Sequence, residues 1–190
     1  MTLLLLGLVL FLGTHSLSIF APAGRDVVAA RIGAGAWKGL YALVALAGFV
    51  LIIVGFREAR LAPVVLYVSP PFLRYLAVVL MLPVFPMVLA SFLPGRISAT
   101  LKHPLLAATK AWALAHLLAN GSLADVVLFG ALLAWAVAER ISLKRRPARA
   151  IPTGPRGRFN DAIALVLGLA LYALFLMGAH RWLFGVSPLG

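Results

Sequence analysis

Apolar residues run along this chain in blocks rather than at helical or strand spacing, and short polar clusters separate the blocks. Blocks of about 17–22 residues match the length a helix needs to cross a hydrocarbon core. The pattern predicts six spans: Thr2 to Phe20, Trp37 to Phe56, Phe72 to Leu93, Leu105 to Asn120, Leu123 to Ala138 and Asp161 to Phe184. Turn signals fall between them at Ala21-Pro22-Ala23-Gly24, Ser69-Pro70-Pro71, Pro94-Gly95, His103-Pro104 and Asn120-Gly121. Pro83 and Pro86 lie inside the third span and should kink it, freeing backbone carbonyls, a cost that neighbouring helices can absorb. The expected fold is an all-α, polytopic transmembrane bundle forming a single integral membrane domain over residues 1–190.

Composition agrees with the pattern. Of 190 residues 63% are hydrophobic and 12% charged, and the mean hydropathy is +1.05, beyond the roughly 45–50% apolar content of soluble domains. The net charge of +12 does not point to nucleic acid, because the basic residues are scattered between spans rather than gathered on one face. Their distribution sets an orientation instead. The odd-numbered loops and adjoining helix ends hold 13 of the 17 basic residues, including Lys144, Arg145, Arg146, Arg149, Arg156 and Arg158 in the connection 141–160. That connection is expected to be a basic, headgroup-facing cytoplasmic loop, with both termini on the periplasmic side. The first span lacks a basic residue ahead of it and reads as a retained helix rather than a signal peptide.

The chain has no cysteine, which removes disulfides, thiolate metal sites and cysteine nucleophiles. Its acidic residues, Asp26, Glu58, Asp125, Glu139 and Asp161, all sit at or near span ends. Paired-carboxylate catalysis and carboxylate proton relays therefore lack their usual residues. No Ser-His-Asp arrangement is in place around Ser16 and Ser18. Histidine is what remains at membrane depth: His15 in span one and His116 in span four. An intramembrane ionisable group is a candidate for function, and the bland alternative is a hydrogen bond to a neighbouring helix. Two neutral imidazoles on different helices can supply both axial ligands of a haem iron. Trp112, His116 and Asn120 recur every four residues on one helix face and could line such a pocket. His103 and His180 look interfacial. Depth is an internal check: His15 lies about 8 Å from the cytoplasmic end of its span and His116 about 18 Å from His103-Pro104, so the pair matches only if the first turn of span four lies among headgroups.

Several segments resemble the NnrU family of bacterial membrane proteins, whose relatives include 15-cis-zeta-carotene isomerase: Phe11-Leu12-Gly13-Thr14-His15-Ser16, Trp37-Lys38-Gly39-Leu40-Tyr41, Pro94-Gly95-Arg96-Ile97, Leu101-Lys102-His103-Pro104-Leu105-Leu106, and Trp112 through Gly121. The resemblance runs along nearly the whole chain. It implies a multi-span inner-membrane bundle, an association with nitrogen-oxide metabolism in denitrifiers and, in the isomerase branch, haem b held by two histidines matching His15 and His116. The isomerase's cysteine three residues before the second histidine is Ala113 here, so a thiolate ligand switch is not available. The implied chemistry is redox work on an apolar small molecule; the oligomeric state is not legible. Two alternatives stand beside it. Lys102-His103-Pro104 is similar to part of the motif of membrane methyltransferases that use S-adenosylmethionine, without their acidic pair; the other alternative is a cofactor-free assembly or scaffold factor.

Overall fold

The computed structural model describes residues 1–146 and 153–189; Arg149 and the centre of the basic connection lie outside the described residues. The elements are α1 (Thr2–Phe20), α2 (Pro22–Ile32), α3 (Ala34–Ala59), α4 (Pro71–Met81), α5 (Val84–Ala90), α6 (Arg96–Leu101), α7 (Pro104–Ala119), α8 (Leu123–Ser142), α9 (Asn160–Leu174), a π-helical turn (Phe175–Ala179) and α10 (His180–Phe184). The fold is all-α, with one isolated bridge between Val65 and Ser122 among the described residues. Four stretches, Thr2–Phe20, Ala34–Ala59, Pro71–Ala90 and Asn160–Phe184, are long and apolar enough to cross a membrane, and Pro104–Ala119 is a shorter apolar helix. Large apolar side chains face outward along them, Val9 at 70% exposure and Val166 at 66%, as a lipid-facing surface requires.

Contacts divide the chain into two compact units, residues 1–66 with 122–144, and residues 67–121 with 145–190. In the first unit α1 and α3 pack antiparallel with almost no side chain between them. Gly7, Gly48 and Gly55 make this possible: a Cβ on Gly48 would stand 2.6 Å from the Phe11 nitrogen, and one on Gly7 would stand 2.8 Å from the Gly48 oxygen. Small residues let membrane helices approach closely where no hydrophobic force drives them together. Helix α8 lies along α1, and Phe129 meets Phe56 of α3 edge-on at 6.1 Å between ring centres. Its start is closed by a capping box, in which Asp125 N donates to Ser122 Oγ at 3.2 Å and Ser122 N donates to the Asp125 carboxylate at 3.1 Å.

The segment after Ala21, expected as a turn, is helical. Pro22 opens α2 at its first position, where a missing N–H costs nothing. Gly33, at φ 86°, separates α2 from α3 in a conformation that a side chain would disfavour.

In the second unit the third span, expected to kink at its prolines, is interrupted there and forms α4 and α5. Leu82 N turns to the Val79 carbonyl at 3.2 Å, and the Val78 carbonyl accepts a hydrogen bond from Tyr172 Oη of α9 at 2.9 Å. Helix α9 runs antiparallel to α5, with Gly168 seated on Pro86. At its beginning, Asn160 Nδ2 donates to the Pro94 carbonyl at 3.0 Å, and the Asp161 carboxylate accepts from Arg96 N at 2.8 Å and Ile97 N at 3.1 Å. Asp161 therefore caps α6 from a distant part of the chain, where the exposed N–H groups of a helix start favour an anion. A Cβ on Gly95 would collide with that carboxylate, 2.7 Å from its Cγ. Helix α7 packs on both α4 and α5.

Candidate functional site

His15 belongs to the first unit. Its Nδ1 lies 2.7 Å from the Phe11 carbonyl oxygen one turn back. A carbonyl only accepts, so Nδ1 carries the proton and the lone pair of the neutral ring lies on Nε2. Around the imidazole are Phe11 at 4.2 Å, Tyr41 of α3 at 5.4 Å and Trp135 of α8 at 5.8 Å between ring centres, the last two edge-on. The Trp135 Nε1–H is buried and has no hydrogen-bond partner. A buried donor left unsatisfied costs on the order of 1–3 kcal/mol, so this aromatic cage suits a guest that brings an acceptor. Tyr41 and Trp135 were not singled out by sequence reasoning. Their signal was faint but present: each is a polar-tipped aromatic near the end of a span that adjoins a basic segment.

His116 belongs to the second unit, half-buried on α7. The expected stripe of Trp112, His116 and Asn120 is formed as a chain of one-turn contacts. His116 Nδ1 donates to the Trp112 carbonyl at 2.8 Å, the two rings are 4.9 Å apart, and Asn120 Nδ2 donates to the His116 carbonyl at 3.0 Å. The end of α7 is held by the strand-like segment before α4. Tyr67 Oη donates to the Asn120 carbonyl at 2.7 Å and also to that of Leu117, and Ser69 Oγ donates to the Leu118 carbonyl. Gly121 allows this, since a Cβ there would stand 2.7 Å from the Tyr67 ring.

His180 joins His116, which the sequence did not anticipate. Their ring centres are 6.4 Å apart with planes tilted by 30°. His103 instead begins α7: Lys102, the one non-glycine residue with positive φ among those described, turns the chain at φ 61°, and Pro104 follows at the first helical position. Lys102-His103-Pro104 thus has a structural role as a helix start.

Residues 3–188 match the family described as NnrU protein. The chain belongs to the NnrU family. No curated protein and no solved structure gives a significant match. The family match spans both histidine environments, and each has the same chemistry: an imidazole whose Nδ1–H is committed to a backbone carbonyl. Metal-bound histidines have this arrangement, because the second-shell bond fixes the tautomer that presents Nε2 to the metal. Among the described residues no group of three or more His, Cys, Asp or Glu side chains could hold a bare metal ion. A haem, which needs only axial ligands from the protein, fits this donor set.

Proposed function

We propose that this NnrU-family protein is an inner-membrane haem b protein with His116 as an iron ligand; the resemblance to the isomerase branch implies His15 as the second. The observation that carries the reading is the proton placement: a carbonyl one turn back holds Nδ1–H of each ring. Neutral imidazoles bring no charge into a low-dielectric interior, so the iron can be held without the cost of burying an ion. Bound haem would supply one-electron chemistry, consistent with a role in nitrogen-oxide metabolism or with redox chemistry on an apolar substrate. The residues of this chain hold and orient: Trp112 stacks on His116, and Tyr41 with Trp135 encloses His15.

The test is the absorption spectrum of detergent-purified protein made with ample haem. A sharp Soret band with low-spin α and β bands on reduction is expected, and His116→Ala should abolish the six-coordinate form. A colourless wild type would refute the haem reading.

A further inference from the structure

Three features of the second unit converge on one point. The first is spacing. With metal–nitrogen bonds of about 2.0 Å and ring centres about 1.1 Å beyond the nitrogen, trans imidazoles on one iron place their centres about 6.3 Å apart, whereas tetrahedral ligation gives about 5 Å. His116 and His180 stand at 6.4 Å. The second is placement. Helix α9 runs antiparallel to α5, with Asn160 at Pro94 and Gly168 at Pro86, and Tyr172 reaches the Val78 carbonyl of α4. His180 follows Tyr172 by eight residues, across a kink at Gly178. On α7 the turn that carries His116 is held by Ser69, whose Oγ donates to the Leu118 carbonyl. The two rings meet at the same end of the second unit.

The third is local geometry. The helix is kinked at Gly178 (φ 179°, ψ −28°), two residues before His180, and a kink re-aims the side chains that follow it. After α10, Gly185 adopts a left-handed conformation at φ 77° and folds the chain back. This brings the Val186 carbonyl to 2.7 Å from His180 Nδ1. The proton is therefore on Nδ1 here too, and the lone pair on Nε2. A helix-end reversal is thereby used to fix an imidazole, as at His15 and His116 an ordinary helical turn does.

We infer that His180 is the axial ligand opposite His116, so that the second unit by itself supplies both imidazoles to one haem iron. This rests on the haem reading and names its second ligand, which is His180 and not the His15 that the resemblance implies. The closing experiment compares spectra and reduction potentials of haem-loaded wild type, His180→Ala, His180→Met and His15→Ala. His180→Ala should give a five-coordinate spectrum that added imidazole returns to six-coordinate. His180→Met should stay six-coordinate with a raised potential, as methionine ligation produces. His15→Ala should keep the wild-type spectrum and potential. Six-coordinate iron of unchanged potential in both His180 variants, with loss in His15→Ala that imidazole rescues, would overturn the His180 assignment while leaving the haem reading intact. A colourless wild type would overturn both.

Discussion

Gly48→Ala should loosen the α1–α3 pair and, through it, disturb His15. The added methyl would sit 2.6 Å from the Phe11 nitrogen and 3.0 Å from its Cα, with the Gly7 carbonyl at 3.1 Å. All three are backbone atoms, so no side chain can swing aside and the helices must part. Overpacking of this kind costs about 1–3 kcal/mol, and the higher helix propensity of alanine returns up to about 1 kcal/mol. A net loss of about 1–2 kcal/mol, a factor of roughly 5–30 in the folded ratio, is expected. Gly39→Ala on the same helix, where a Cβ meets nothing within 4 Å, is the control and should be neutral or slightly stabilising. The displaced backbone is at Phe11, whose carbonyl holds His15 Nδ1 and whose ring lies 6.2 Å from Phe49. Thermal melting in detergent, followed by tryptophan fluorescence since Trp135 and Trp37 both lie near this pair, reads the loss. Equal melting temperatures for Gly48→Ala and Gly39→Ala would refute the close-approach argument.

Two further outcomes are expected. Asp161→Ala removes the acceptor for Arg96 N and Ile97 N and should lower stability by about 0.5–2 kcal/mol, against a near-zero effect of Asp26→Asn, whose ion pair with Arg25 is exposed; equal melting temperatures for the two variants would mean that the cap is not used. Reporter fusions after Arg60 and at the C-terminal end should report the periplasm and a fusion in the basic connection the cytoplasm, as the positive-inside rule requires, and a periplasmic signal from the connection would overturn the orientation.

The blocks of apolar residues made four of the six expected spans legible as helices long and apolar enough to cross a membrane, because a bilayer constrains length and hydrophobicity more tightly than any soluble core does. Pro83 and Pro86 likewise announced the interruption between α4 and α5, since a proline inside a helical run leaves the carbonyl one turn back without its N–H donor. Helices α2 and α6 were not legible. Both are short, both are flanked by glycine, and α6 depends on a carboxylate some 65 residues further on to close its first turn. That dependence also explains Pro94-Gly95-Arg96-Ile97, which reads in sequence as a turn but in space is the receptor for Asp161.

The histidines divide along the same line between local and distant causes. His15 and His116 stood out because each lies within an apolar run, and the Trp112–His116–Asn120 stripe follows from a four-residue repeat that any α-helix enforces. His180 did not stand out, because its place depends on a kink at Gly178 and a left-handed glycine at Gly185, neither of which hydropathy can express. Yet a trace was there in the chain direction. Spans four and six both lead away from basic connections, so residues near their far ends approach the same side of the membrane, and His116 and His180 are both such residues. Depth, which argues against pairing residues at opposite ends of their spans, is for this pair an argument in favour. On the proposed ligation, the distance of each histidine from the same basic side of its span selects the pair, and how deeply each sits in its own apolar run does not.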